Sequence, residues 1–323
     1  MLTAASPTHT RRQARPGLTL VELMISMVLL GLMGGLIVGF LLKQQRFYTG
    51  TNEILLTRTQ VRQASVMMPS DLRAIYPAGG DIYTMTDTSI EFRSTFGGSF
   101  LCSTDVVNSK LITPPQTLAK NSLLSVWTQT PTIGDSLALY VENTNPGPLD
   151  DTWSVHKITA IGMNFSNAAP GCTSASGLMK STDVNAGNPS YIFTISPTQA
   201  ATVTPGAAIR FFKKVHYSLY KSPTDNLWYL GYYDCRTGRV PVCNSIQPIA
   251  GPLRPYVAGQ PEQAGLRFTY YDNTGAVTAT RANVTRISIL LQGEGTKTIQ
   301  LVGGSAQTFR DSMRVEVGLR NWR

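Results

Sequence analysis

The hydrophobic positions of this chain follow two different patterns, the first of which is one long apolar run. Residues 18–42 contain a single ionisable side chain, Glu22. As a helix with a rise of about 1.5 Å per residue, this run would be about 37 Å long. That length is sufficient to cross a hydrocarbon core about 30 Å thick. The pattern therefore predicts one transmembrane helix over residues 18–42.

The helical pattern continues beyond the apolar run on a more polar segment. An apolar stripe recurs there every seven residues at Phe47, Ile54, Val61 and Met68, with Tyr48, Leu55 and Ala64 beside it. A single stripe of this kind predicts a helix that packs along a sheet. Pro69 disfavours helix at the residue before it. We therefore expect one spine helix over residues 18–68, helical from about residue 19 to about residue 67.

From Pro69 onward, short β-like runs alternate with turn-rich segments. The predicted strands are residues 89–92, 136–141, 191–195, 209–220, 228–233, 266–271, 287–291, 298–302 and 313–319. Several of them alternate apolar and polar residues, as in a sheet with one solvated face. The predicted long loops are residues 143–151, 164–188 and 248–265.

No fixed-period repeat and no clear linker divide this region, so we expect one elaborated β domain over residues 69–323. The predicted fold class is α+β, with the long N-terminal helix packed on a C-terminal antiparallel β-sheet domain.

The start of the apolar run carries a recognisable motif. Gly17-Leu-Thr-Leu-Val-Glu-Leu, followed by the long apolar segment, resembles the N-terminal signature of type IV prepilins and type II secretion pseudopilins. The resemblance implies that residues 1–17 are a leader peptide. It also implies that a prepilin peptidase/methyltransferase cuts between Gly17 and Leu18 and methylates the new N-terminus. Leu18 departs from the phenylalanine that the family most often has there, but it is also hydrophobic.

Glu22 is the unusual residue of the membrane segment. A carboxylate there costs about 3 kcal/mol on insertion scales and usually has a partner or a function. After cleavage, Leu18 would carry a free amine, and residues four apart share a helix face. Glu22 could therefore neutralise its own N-terminus or that of a neighbouring subunit. The alternative is an uncleaved signal anchor with a tolerated acid.

Three glycines in the membrane segment are spaced for helix packing. Gly31, Gly35 and Gly39 stand at i, i+4 and i+8. This spacing clears a groove in which another helix backbone can approach closely. The alternative is the ordinary abundance of glycine in membrane helices.

The four cysteines, Cys102, Cys172, Cys235 and Cys243, all follow the membrane segment. An even number of cysteines beyond a membrane anchor indicates disulfides formed in an oxidising compartment. Three pairings are possible. We favour Cys235 with Cys243, because the residues between them turn easily, and Cys102 with Cys172. Unpaired thiols are the alternative.

Charge and composition do not point to catalysis. The net charge of +9 falls to +6 without the leader, and it is spread along the chain. This excess permits weak DNA or surface binding without requiring it. His156 and His216 complete no catalytic or metal-ligand set, and Asp272-Asn-Thr-Gly suits a hairpin turn better than a calcium loop. We therefore predict no enzyme activity, no cofactor and no metal.

Segments 266–275, 284–291 and 314–321 resemble the PilW class of minor pilins and the J-type minor pseudopilins of type II secretion. Residues 96–190 resemble no family that we can name. The resemblance implies a minor pilin that is held in the inner membrane with its C-terminal domain in the periplasm. It would then assemble with other minor pilins and the major pilin, near the fibre tip. The alternatives are a secretion pseudopilin and a pilus-borne adhesin or DNA-binding component.

Overall fold

The computed structural model describes residues 17, 19–117, 125–143, 151–166, 172, 177, 179–180, 182–235, 246–300 and 305–319, with the backbone alone at 234 and 235. The chain forms two compact units. The first consists of Met1–Asn52 and Ile299–Gln307, and the second of Glu53–Thr298 and Thr308–Arg323. The fold is α+β and pilin-like, as predicted: one long N-terminal helix is followed by a large antiparallel sheet.

The helix, α1, runs from Leu20 to Leu72. The prediction that Pro69 would end it was wrong, because Pro69 lies inside the helix. An interior proline costs about 3 kcal/mol. Met68 and Leu72 are both fully buried, and each such side chain contributes about 1.5–3 kcal/mol. Packing in the second unit therefore offsets the proline and extends the helix by one turn.

The buried face of α1 in the second unit differs in part from the predicted stripe. Val61, Ala64 and Met68 are buried as expected, whereas Leu55 is 57% exposed. The buried positions are Glu53, Thr57, Val61, Ala64, Ser65, Met68, Pro69 and Leu72. They are spaced mostly by three and four, the period of a straight helix, and a strict seven-residue stripe drifts off that face by about 20° per heptad. In the first unit Phe47 and Tyr48, also assigned to the stripe, are 75% and 72% exposed.

The sheet contains fourteen strands among the described residues. In chain order they are β1 Ile82–Met85, β2 Ser89–Phe100, β3 Ser103–Asp105, β4 Lys110–Thr113, β5 Val126–Trp127, β6 Ser136–Val141, β7 Thr152–Asn164, β8 Ser190–Ser196, β9 Ala208–Lys221, β10 Trp228–Cys235, β11 Gln247–Leu253, β12 Leu266–Tyr271, β13 Arg286–Gln300 and β14 Ala306–Gly318. Their main order is β12-β13-β11-β10-β9-β6-β7-β8-β4-β3. Strand β14 pairs with β13, β2 pairs with β1, β5 and β9, and the pairings with a defined register are antiparallel.

Strand β9 contributes residues to two hydrophobic cores of the second unit. One of its edges pairs with β2, and the other pairs with β6 near Phe212 and with β10 from Lys214 onward. The first hydrophobic core contains Met68 and Leu72 of α1 together with residues of β1, β2 and β9–β14. The second lies among β2, β4 and β6–β9 and is centred on Phe193 and Phe211. One sheet therefore covers two cores.

Most of the predicted strands are present, two of them with the predicted bounds (β6 and β12). The prediction of a loop over residues 248–265 was wrong at its start, because β11 occupies Gln247–Leu253. Its pairing with β10 is irregular, and it meets β13 through Leu253 opposite Gly293. Because β11 makes few backbone hydrogen bonds with its neighbouring strands, it can contain the prolines that suggested a loop.

A disulfide joins Cys102 and Cys172, which are 70 residues apart in sequence. Both cysteines are buried in a third small cluster with Ile112, Met179 and Val184. This is one of the two favoured pairings. The other, Cys235 with Cys243, depends on the side chain of Cys235 and on Cys243, which lie outside the described part of the chain.

Within the second unit, helix α1 packs closely on strand β13 at Gly293 and Gly295. A Cβ added at Gly293 would lie 2.7 Å from Val61 Cγ2 and 2.8 Å from Thr57 Cγ2. The buried carboxylate of Glu53 accepts hydrogen bonds from Thr296 N at 3.0 Å and Thr296 Oγ1 at 3.3 Å. The helix can approach the strand closely because the strand carries no side chain there.

Candidate functional site

The N-terminal end of α1 is held by two residues that bond to each other. Thr19 precedes the helix, and its Oγ1 accepts a hydrogen bond from Glu22 N at 3.2 Å. Glu22 Oε2 accepts in return from Thr19 N at 3.0 Å and from Thr19 Oγ1 at 3.1 Å. This reciprocal arrangement is a capping box, which satisfies backbone N–H groups that the first turn of a helix leaves unpaired.

The capping box gives Glu22 a role within its own chain that the sequence interpretation missed. The spacing Thr-x-x-Glu before an apolar run is its sequence signature and could have revealed it. Among the described residues, no group donates a hydrogen bond to the second oxygen, Oε1. The capping contacts therefore leave one oxygen of Glu22 for a further partner. Leu18, the predicted partner and processing residue, lies outside the described residues.

Gly17, the residue before the predicted cut, is exposed. A Cβ placed on Gly17 would meet no atom within 4 Å. Its role in processing stays a prediction.

The apolar part of α1 in the first unit exposes its side chains all round. The exposed large hydrophobic residues are Leu20, Val21, Leu23, Met24, Ile25, Met27, Val28, Leu29, Leu30, Leu32, Met33, Leu36, Ile37, Val38, Phe40, Leu41 and Leu42. Among the described residues this helix is long and apolar enough to cross a membrane. Such a surface indicates burial in a membrane or against other chains.

Gly31, Gly35 and Gly39 lie within this exposed segment. A Cβ at any of the three would meet no atom within 4 Å. The backbone is therefore open to a neighbouring helix at these positions. Their role in helix packing stays a prediction.

The two histidines of the second unit have structural surroundings. His156 is 3% exposed, and its ring nitrogens lie 2.7 Å from Pro197 O and 2.8 Å from Ser154 Oγ. The contact with Ser154 has the distance of a nucleophile–base pair, but a buried ring offers a substrate no access. His216 stacks on Tyr233 at 4.2 Å between ring centroids. Burial lowers the pKa of both imidazoles.

The turn after β12 is closed by its own side chains. Asp272 Oδ1 accepts hydrogen bonds from Thr274 N at 2.9 Å, Thr274 Oγ1 at 2.7 Å and Ala276 N at 3.0 Å. Gly275 has φ +86°, which glycine adopts without strain. The carboxylate thus serves as a turn residue. Tyr270, near the end of β12, is buried in the first core.

A comparison with known families decides the nature of the N-terminal segment. The family model described as the prokaryotic N-terminal methylation motif matches residues 12–38. Residues 12–38 are a prepilin-type motif. No curated protein and no solved structure matches the chain. The match covers less than a tenth of the chain, but it includes Gly17, Leu18 and Glu22.

The motif and the apolar helix together support a type IV pilin-like protein, that is, a pilin or pseudopilin processed by a prepilin peptidase. They are consistent with membrane anchoring through α1. Pilin-like proteins are usually structural subunits rather than enzymes.

Proposed function

We propose that this protein is a minor pilin of the PilW class, cut after Gly17 and methylated at Leu18, that takes part in the assembly of a type IV pilus. The observation that carries the proposal is the methylation motif over residues 12–38. The exposed apolar surface of α1 supports it, because a pilin needs that surface first in the membrane and then among other pilins.

Before assembly, α1 would hold the subunit in the inner membrane with the β domain in the periplasm. The β domain would then help to initiate the fibre and lie at or near its tip. The resemblance of the C-terminal segments to PilW supports this location. The partners would be the prepilin peptidase, other minor pilins and the major pilin, approached through Gly31, Gly35 and Gly39.

Glu22 would act in two ways at once. Its Oε2 closes the capping box with Thr19, and its Oε1 stays available for the amine that cleavage creates on Leu18 of a neighbouring subunit. An amine and a carboxylate attract strongly where water is excluded. This attraction would favour addition of the subunit to the fibre.

Processing is tested at the N-terminus of the purified protein. Mass spectrometry should find a chain that begins at methylated Leu18. Gly17→Val, which places a branched side chain beside the bond to be cut, should retain the leader, and Gly50→Ala serves as a matched control outside the motif. A wild-type chain that begins at Met1 would reject the proposal.

Two substitutions separate the charge of Glu22 from its capping role. Glu22→Ala should insert normally but enter pili poorly. Glu22→Gln keeps a side chain that can complete the capping box but removes the negative charge. We expect Glu22→Gln to be as defective as Glu22→Ala, measured by immunoblots of sheared pili against membrane fractions. Normal incorporation of Glu22→Gln would assign Glu22 to capping alone.

A further inference from the structure

The second unit contains a cavity of about 240 Å³ beside the sheet. Strands β2, β6, β7 and β9 contribute to its lining. Ala138 of β6 pairs with Val155 of β7 on one side and with Arg210 of β9 on the other. Phe212 adds an aromatic wall. Ligand pockets commonly hold about 300–1,000 Å³, so this cavity suits a ligand of one small ring or less.

One ion pair in the cavity wall is already satisfied. Arg93 Nη1 lies 3.2 Å from Asp81 Oδ1, and its Nε donates to Tyr83 OH at 2.9 Å. Asp81 Oδ2 also accepts from Tyr76 N at 2.8 Å. These groups build the wall and leave little capacity for a ligand.

Arg210 is the second cation of the lining, and it lies within electrostatic range of the Asp81 carboxylate. Its guanidinium lies 4.4 Å from the centre of the Trp153 ring. Within the described part of the chain, no group accepts a hydrogen bond from it or forms an ion pair with it. Stacking orients the guanidinium plane but leaves its N–H groups unused, and their fork geometry matches a carboxylate.

Asp151 is the complementary group. Its Oδ2 accepts a hydrogen bond from Tyr140 OH, whereas Oδ1 is buried with no partner in the described structure. A buried acceptor without a donor is unfavourable by about 1–3 kcal/mol. A donor placed in the cavity would give this oxygen a partner.

We propose that this cavity binds a small carboxylate that also carries a hydrogen-bond donor, either a hydroxyl or an ammonium group. The ligand carboxylate accepts from Arg210, and the donor bonds to Asp151. The site goes beyond the proposed role in assembly, because it uses none of the residues of the methylation motif.

The test measures binding to the full chain in a detergent that has neither a sugar headgroup nor a carboxylate. Four probes separate the parts of the site: glucuronate carries carboxylate and hydroxyls, alanine carries carboxylate and ammonium, glucose lacks the carboxylate, and acetate lacks the donor. Calorimetry should show saturable binding of glucuronate or alanine, at least about tenfold tighter than glucose and acetate.

Which of glucuronate and alanine binds tighter identifies the source of the donor. Arg210→Gln and Asp151→Asn should each weaken that binding about tenfold or more. Arg314→Gln, the same change at an exposed arginine outside the cavity, should not. If Arg210→Gln does not fold, Arg210→Lys serves in its place, since it keeps the charge but loses the paired donors.

Three results would overturn the proposal. The first is absence of saturable binding by the wild-type chain. The second is equal affinity for glucose or acetate, which would show that the carboxylate or the donor is not recognised. The third is unchanged affinity in Arg210→Gln, or in Arg210→Lys where Arg210→Gln does not fold.

Discussion

His156 shows how a single polar residue can be built into the second core. His156 belongs to β7, and its buried ring has the Nδ1 nitrogen 2.7 Å from Pro197 O and Nε2 2.8 Å from Ser154 Oγ. A neutral ring with its proton on Nδ1 satisfies both contacts. Burial lowers the pKa of this imidazole below its usual value near 6.5. The folded protein therefore resists the second proton that the unfolded chain accepts.

This difference predicts a pH dependence of stability. As the pH falls below about 6.5, the unfolded state binds a proton at His156 that the folded state does not, so stability decreases by at most about 1.4 kcal/mol per pH unit. His156→Gln should flatten this decrease. Thermal unfolding of the full chain in detergent near pH 7 and near pH 5 measures it. His216, shifted in the same direction, is present in both proteins, and equal slopes for variant and wild type would contradict the prediction.

Two glutamates of α1 mark what could be predicted for single residues. Glu22 stood out because an acid in an apolar run is rare, and because it belongs to the motif that begins at Gly17. Glu53 did not, because a glutamate in a polar helix is ordinary and the apolar stripe counted only hydrophobic residues. Its burial depends on Thr296 and Lys297 of β13, whose backbone N–H groups it meets more than 240 residues away in sequence. No local pattern contains that contact.

At the scale of elements, the sequence predicted whether a segment is helix or strand better than it predicted where that segment ends. The period of the pattern identified α1 and most strands, because periodicity reports which side of an element is buried. The end of α1 was misplaced at Pro69, since local backbone chemistry was outweighed by the burial of Met68 and Leu72. No local sequence pattern explains Gly293 and Gly295 of β13. In the structure both glycines lie against α1, which leaves little room for a side chain at either position.

The contact between α1 and β13 predicts that a methyl group is not tolerated at Gly293. Its Cβ would lie 2.7 Å from Val61 Cγ2 and 2.8 Å from Thr57 Cγ2. Relieving such overpacking typically costs about 1–3 kcal/mol, so Gly293→Ala should lower the unfolding temperature by several degrees. Gly162→Ala is the matched control on β7, where the added Cβ would lie 3.7 Å from Ile192 Cβ. If both variants unfold alike, close approach of the helix does not explain Gly293.

At the scale of the whole molecule, the fold class was predictable but the strand order was not. Strands β2 and β9 pair along eleven positions although more than a hundred residues separate them. Hydrophobic alternation tells which face of a strand is buried, but not which strand lies beside it. The division into two cores follows from that pairing, since β2 and β9 each contribute to both. The cavity of the second unit also depends on this pairing.

Because the disulfide lies in one small cluster, we expect it to stabilise only the part of the fold around it. By chain entropy, a bond closing a loop of 70 residues stabilises the fold by about 4 kcal/mol. It lies in the cluster next to the second core, with Ile112 of β4 as a neighbour. In the double variant Cys102→Ser/Cys172→Ser, hydrogen exchange should accelerate in β3, β4 and β8.

Strands β12 and β13 of the first core are the internal control, and Cys235 and Cys243 are unchanged in the variant. Exchange measured by mass spectrometry on the full chain should leave β12 and β13 as protected as in the wild type. Equal acceleration in all five strands would mean that the two cores open as one cooperative unit. Unchanged exchange in β3, β4 and β8 would mean that the bond contributes nothing to this part of the fold. Local acceleration is expected because subglobal opening follows contiguous packed units, and the disulfide belongs to only one of them.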